Sequence, residues 1–209
     1  TEALIEAFEA SGLRVVPTHF GRIEDLRTDN TTNANTDQLG YTNAGVDLHT
    51  DQPFLEQPPR FQLLQCMRAA EQGGASAVSD AFAAAETLRR TLREDFDVLV
   101  STPVVFDRKQ RQFSKRLASP ILELRDGELY RVRASYFTLA PLALPFERME
   151  AWYRAYQRFV ALLHDARHRI AFALAAGDVL LYDNFRVLHA REAFVGARWV
   201  RGIYFDPSD

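Results

Sequence analysis

The 209-residue chain carries 25 Lys and Arg against 28 Asp and Glu, a formal net charge of −3, with a pI near 6.0. That balance supplies no long-range positive field, so neither nucleic acid nor an anionic membrane surface is an expected partner. At 47% hydrophobic residues the chain can bury a sizeable single core, and its lone cysteine excludes an internal disulfide and a cysteine-rich metal site.

Glu2, Glu6 and Glu9 stand where a secretory signal would be basic, and no run approaches the roughly 18 apolar residues of a membrane span, so a cytoplasmic protein is expected. Leu4, Ile5 and Phe8 share one face of a helix predicted over 1–10, with Gly12 at its stop and a strand at 13–16. From 28 to 42 Asn, Thr and Asp predominate and predict a long loop, a lid or binding loop on one reading and plain disorder on the other. Val46 and Leu48 then alternate with Asp47, predicting a strand that carries His49 and Asp51 and ends at Pro53. Side chains at i and i+2 of a strand share a face, so His49 and Asp51 can reach one metal while Thr50 points away. An HxD dipeptide is common, however, and alone establishes no site.

Residues 61–67 read as a buried strand in which Cys66 packs as a small hydrophobe. Gln72-Gly73-Gly74 reads as a turn before an extended segment at 75–78. Asp80 or Ser79 caps a helix over 81–90, and a second helical piece containing Leu99 ends before Pro103. Strands are expected at 104–106, 121–124 and 129–132, the last two joined by an Asp126-Gly127 hairpin turn. Met149, Trp152, Tyr156, Phe159, Val160 and Leu163 mark a helix over 146–163, and this stripe reads as core rather than a cofactor site. Short strands at 170–174, 179–182, 187–189 and 199–205 follow, punctuated at Gly177-Asp178 and Asp183-Asn184. Without repeats or linkers, this order predicts a mixed α/β, mainly β fold: one double-stranded β-helix (jelly-roll) core with flanking helices.

A third ligand candidate, His189, lies near the other end of the chain. Two histidines and one carboxylate suffice to hold ferrous iron on one face and leave the opposite positions open. Arg198, Val200, Gly202 and Tyr204 share a strand parity, and a guanidinium turned into a barrel requires an anion, so Arg198 reads as a carboxylate anchor. Arg201, on the opposite parity with Trp199 and Ile203, reads as a surface or salt-bridged residue.

The segments GYTNAGVDLHTDQPF, PPRFQLLQC, GGASAVSDAFAAAETL, LYDNFRVLHAREAF and RWVRGIYFD resemble the γ-butyrobetaine dioxygenase branch of the taurine-dioxygenase-like Fe(II)/2-oxoglutarate-dependent oxygenases, over about positions 38 to 206. The resemblance implies that His49, Asp51 and His189 bind Fe(II), and that Arg198 and Ser76 hold the distal carboxylate of 2-oxoglutarate. O2 and 2-oxoglutarate would then drive oxidation of an unactivated C–H bond in a small zwitterionic metabolite, by hydroxylation or a related oxidation such as desaturation, releasing succinate and CO2. Tyr41, Gln52, Arg133 and Tyr204 fall at substrate-binding positions. Gln52 stands where the family has an aromatic residue, and Phe20 and Glu24 occupy the region of its upstream aromatic cage. Glu24 and Arg133 then either bind the two ends of a different zwitterion or face solvent. The resemblance also implies one oxygenase domain over 1–209, with N-terminal parts of a longer protein not represented, and leaves a homo-oligomer open. The competing functions are a non-catalytic jelly-roll binding module and a zinc hydrolase using the same triad.

Overall fold

The protein is described here from a computed structural model, which describes residues 1–28 and 39–208. Most of the loop predicted over 28–42 thus lies outside the described residues; at its end, residues Leu39–Tyr41 form one 3₁₀ turn.

Helix α1 (Glu2–Ala10) buries Ile5 against Leu63, Ile203 and Phe205. Gly12, at φ +92°, turns the chain into β1 (Leu13–Val15). Strand β2 (Glu24–Arg27) has no apolar alternation to announce it; the sequence EDLR is extended because it pairs with the last long strand of the chain, Glu24 opposite Gly202. Pairing partners override local propensity here.

The strand bearing the HxD motif, β3 (Val46–His49), is shorter than expected. Thr50 leaves the ladder: its N–H and hydroxyl both donate to the Ala134 carbonyl, and Gln52 is left-handed at φ 55°. Asp51 therefore faces His49 from just past the strand end rather than by strand alternation, and the turn at 50–52, not Pro53, ends the strand.

Strand β4 (Phe61–Arg68) follows, with Cys66 2% exposed. Gln72-Gly73, expected within a turn, forms the two-residue strand β5 (Gln72–Gly73). Strand β6 (Ser76–Asp80) runs into α2 (Ala81–Thr91), where Asp80, not Ser79, is the cap: its carboxylate accepts from the N–H groups of Phe82 and Ala83. The Ser79 hydroxyl instead donates to the Leu163 carbonyl. After α3 (Arg93–Ser101) come the hairpin β7 (Val104–Lys109) and β8 (Ser114–Ser119), then β9 (Leu122–Arg125) and β10 (Glu128–Val132). Asp126 and Gly127 both have positive φ, 53° and 84°, as a type I′ turn requires. Helix α4 (Phe146–His164) buries Trp152, Ala155, Phe159 and Leu163. The last strands are β11 (Arg169–Phe172), β12 (Val179–Asp183), β13 (Val187–Arg191), β14 (Phe194–Val195) and β15 (Trp199–Pro207).

Two antiparallel sheets carry the architecture. One runs β1-β15-β4-β12, with β2 also paired to β15; the other runs β11-β6-β13-β3. The chain passes alternately between them, β3 to β4 to β6 and again β11 to β12 to β13 to β15, which is the double-stranded β-helix predicted from the strand pattern. Leu48 and Leu188 of the second sheet join Leu88, Phe96, Trp152 and Phe159 of the helices in the main core. Each such fully buried aromatic or leucine contributes roughly 1.5–3 kcal/mol. Leu63, Ile203 and Phe205 cover the outer face of the first sheet under α1. By strand parity Gln62, Leu64, Val200, Gly202 and Tyr204 then turn inward, toward the second sheet. No helix among the described residues is long and apolar enough to cross a membrane.

Candidate metal centre

Antiparallel pairing of β3 with β13 sets His49 directly opposite His189, and their ring centroids lie 4.1 Å apart. Asp51 Oδ1 lies 3.4 Å from His49 Nε2, and one donor atom from each of the three residues falls within 4.8 Å of the others. Residues distant in the sequence thus converge because the two strands are neighbours in one sheet.

The protonation states suit a metal. His49 Nδ1 lies 2.8 Å from the Asp47 carbonyl, which can only accept, so the proton sits on Nδ1 and Nε2 is free to ligate. Burial and the neighbouring His49 lower the His189 pKa to about 3, keeping it a neutral imidazole, and its buried Nδ1 has no hydrogen-bond partner. Burial alone would raise the Asp51 carboxyl, but His189, His49 and the Tyr204 hydroxyl, which donates to Oδ2 at 2.8 Å, hold it below the usual carboxylate range. The neutral His189 imidazole with its orphaned buried nitrogen, the His49 imidazole and one carboxylate form a donor set that fits ferrous iron.

Asn184 holds this geometry and was legible in the sequence only as turn punctuation. Its Oδ1 accepts from the Asp51 N–H at 2.8 Å, while its Nδ2 donates to the carbonyls of Asp51 and Pro59, both at 3.1 Å. The structure buries Asn184 to 2% exposure, whereas the sequence offers only its place in the Asp183-Asn184 turn, just upstream of His189. Two aromatic neighbours also escaped sequence reading: Phe137, 5.1 Å from the His49 ring, and Tyr182, 5.0 Å from that of His189.

The triad opens into a cavity whose lining is mostly apolar, with a few polar groups converging on it. Ser76, at the start of β6, and Arg198, just before β15, line it. The Arg198 guanidinium lies 5.6 Å over the Phe194 ring and pairs with no carboxylate among the described residues. Burial lowers its pKa, yet an arginine stays charged. The glycine turn explains how Phe194 comes to be there. Gly73, at φ +71°, approaches Ala193 so closely that a Cβ would collide with the Ala193 carbonyl oxygen, and this contact seats β14 on β5. Arg201, as expected, is satisfied elsewhere, by Asp25 at 3.0 Å and the Thr1 hydroxyl at 2.9 Å.

The substrate-side candidates divide. Tyr204 and Gln52 line the cavity, Gln52 with both amide atoms buried and unpaired. Tyr41 is buried behind it, its hydroxyl donating to Glu24 Oε1 at 2.9 Å, its ring edge-on to Phe20 at 6.4 Å. Glu24 and Phe20 line the cavity, so Glu24 does not face solvent. Arg133 does not line it. This arginine is 2% exposed and fully engaged with Glu123 and the carbonyls of Pro53, Leu55 and Glu56. It anchors the segment that follows the HxD motif, and its donors are spent on backbone. Arg133→Ala is therefore expected to destabilise the fold by roughly 3 kcal/mol, because three carbonyls lose their donor, while Glu123 keeps its pair with Arg131; a denaturant titration with an unchanged midpoint would refute this clamp.

Burial, with Asp51 nearby, raises the Glu24 pKa to about 8, only partly offset by the Tyr41 hydrogen bond. In the unfolded chain the group titrates near 4.5. Between these values the native state binds more protons than the unfolded one, so Glu24 makes stability fall as pH rises from about 4.5 to 8. Glu24→Gln should remove that slope. Its melting temperature should gain on wild type from pH 5 to pH 8, and parallel curves would contradict the assignment.

Comparison with known proteins gives a consistent picture. Residues 1–204 match the family model described as "Taurine catabolism dioxygenase TauD, TfdA family". The chain is 36% identical over 192 residues to γ-butyrobetaine dioxygenase of Pseudomonas sp. (strain AK-1), covering 90% of this chain and 49% of that protein. It is 32% identical to the Homo sapiens γ-butyrobetaine dioxygenase, covering 80% of this chain and 46% of that one. Among solved structures, PvcB, an Fe, alpha-ketoglutarate dependent oxygenase, superposes with a TM-score of 0.66 at 23% identity, over 98% of this chain and 70% of that one. The chain spans about half the length of the curated relatives it matches.

Proposed function

The chain belongs to the taurine catabolism dioxygenase TauD, TfdA family, and from that premise we propose that it is the oxygenase domain of an Fe(II)- and 2-oxoglutarate-dependent dioxygenase that hydroxylates a small zwitterionic metabolite. The observation that carries this reading is one cavity holding the His49, Asp51, His189 donor set together with Arg198, an arginine that no described carboxylate neutralises. A metal-binding module or a zinc hydrolase gives Arg198 no task. A dianionic cosubstrate does.

His49, Asp51 and His189 would hold ferrous iron, which when bound supplies the oxygen-activating and C–H-cleaving chemistry. The protein's own contribution is orientation. Arg198 offers a planar two-point fork to the cosubstrate carboxylate remote from the metal, and the Ser76 hydroxyl adds one hydrogen bond. Asn184 and Tyr204 fix Asp51 from the backbone side and the carboxylate side. The apolar wall of Phe20, Phe54, Leu64, Phe137 and Val200 excludes water from the reacting carbon.

Relatives that are γ-butyrobetaine and trimethyllysine dioxygenases support a substrate that carries a cationic nitrogen. The single cysteine fits a reducing compartment, and action on a diffusible metabolite in the cytoplasm is part of this proposal. The test is succinate formation from 2-oxoglutarate in air, screened with amino acids and quaternary ammonium acids. Succinate is expected only with ferrous iron and is stimulated by the substrate; none under any condition would overturn the reading.

A further inference from the structure

Glu24 and Gln62 line the cavity and carry acceptor atoms that the fold leaves partly unused. Glu24 is 5% exposed, accepts one hydrogen bond, from Tyr41, and pairs with no cation among the described residues. Gln62 is 3% exposed and leaves Oε1 buried without a partner. The two residues come from opposite sides of β15, Glu24 in register with Gly202 and Gln62 with Tyr204. A Cβ on Gly202 would lie 3.8 Å from Gln62 Nε2 and 3.9 Å from Glu24 Cβ, so both side chains flank the same bare stretch of backbone. Tyr204, on the same face of β15, reaches Asp51 with its hydroxyl, which ties this corner to the metal centre.

A buried carboxyl with unused lone pairs, beside an unpaired amide oxygen and close to the charge of Asp51, lacks a positively charged donor. Two chemistries of cation can enter a cavity walled by Phe20 and Tyr204. A trimethylammonium group presents only methyls and is recognised by aromatic faces; it would leave the Gln62 oxygen unpaired. A primary ammonium brings three N–H donors and a guanidinium five. On the reading of this cavity as a substrate pocket, we infer that Glu24 and Gln62 form a subsite for an N–H-bearing cation, a primary ammonium or a guanidinium, and that this chain selects such substrates over quaternary ammonium ones. The acceptor pair is the specificity element: an acceptor left unpaired in a dry site rejects the ligand that cannot donate to it.

The test uses three cations of one shape, n-butylammonium, n-butylguanidinium and n-butyltrimethylammonium chlorides. They are titrated calorimetrically into full-length protein with Fe(II) and 2-oxoglutarate under anaerobic conditions. The N–H cations are expected to bind at least about tenfold more tightly than the trimethylammonium one, and Glu24→Gln should reduce that ratio to below about threefold. Gln62→Met, which removes the amide acceptor without touching a charge, should lower it as well, and decides the matter if Glu24→Gln does not fold. Equal or tighter binding of the trimethylammonium probe, no binding of any probe, or a ratio unmoved by both variants overturns the subsite. Succinate release in air, measured without probes, reports on the oxygenase separately: succinate without the preference removes the subsite alone, and the preference without succinate removes the oxygenase reading alone.

Discussion

His49→Ala is expected to abolish iron binding and 2-oxoglutarate turnover together. Loss of a residue that merely orients a ligand costs about 10–100-fold in metal affinity, and His49 is placed as a ligand itself. Its removal leaves Asp51 and His189 as a two-donor site, and a loss exceeding about a hundredfold in both affinity and turnover is the expected result. The side chain also packs against Phe137 and His189, so alanine leaves a small void. A melting temperature measured on the metal-free variant separates that structural cost from the chemical one. The variant should fold while failing to bind Fe(II) by titration. Full turnover in a folded His49→Ala protein would remove the metal assignment and, with it, the role given to Asp51.

What the sequence made legible follows from how local each signal is. The Asp126-Gly127 turn, the Asp80 cap and the stripe on α4 depend on neighbours within a few residues, and all are present in the fold. The inward parity of Gly202 and Tyr204 also held, because a long strand with one covered face obeys a strict period of two. Strands β2 and β8 were invisible because EDLR and SKRLAS have no strand signature and are extended only by their partners. Arg133 shows the opposite failure. The family position suggested a carboxylate ligand, but Glu123 and the carbonyls of Pro53, Leu55 and Glu56 lie within reach only once β9, β10 and the segment after Asp51 are packed together. The Asn184 clamp was hidden for the same reason, since both of its partners are brought to it by the fold from more than a hundred residues away.

Arg198→Ala should raise the 2-oxoglutarate requirement far more than it lowers the maximal rate. Truncating one partner of a buried, hydrogen-bonded charge pair typically costs about 2–5 kcal/mol, so a rise of roughly two to three orders of magnitude in the apparent KM for 2-oxoglutarate is expected at about 1.4 kcal/mol per tenfold. The guanidinium is placed to grip the cosubstrate carboxylate remote from the reacting atoms. It stabilises ground state and transition state alike, and loss of such uniform binding raises KM with kcat nearly unchanged. Arg198→Lys separates charge from shape. Lysine restores the positive charge but not the two-point fork, and its compact ammonium loses the stacking over Phe194, so it should recover only part of the affinity. The two variants also discriminate between roles: a purely structural arginine would lower the melting temperature and leave KM in place, whereas a carboxylate anchor moves KM by steps that follow charge and then geometry. An unchanged KM in Arg198→Ala would leave the cavity with a positive charge that nothing described neutralises, and would move the cosubstrate site to another wall.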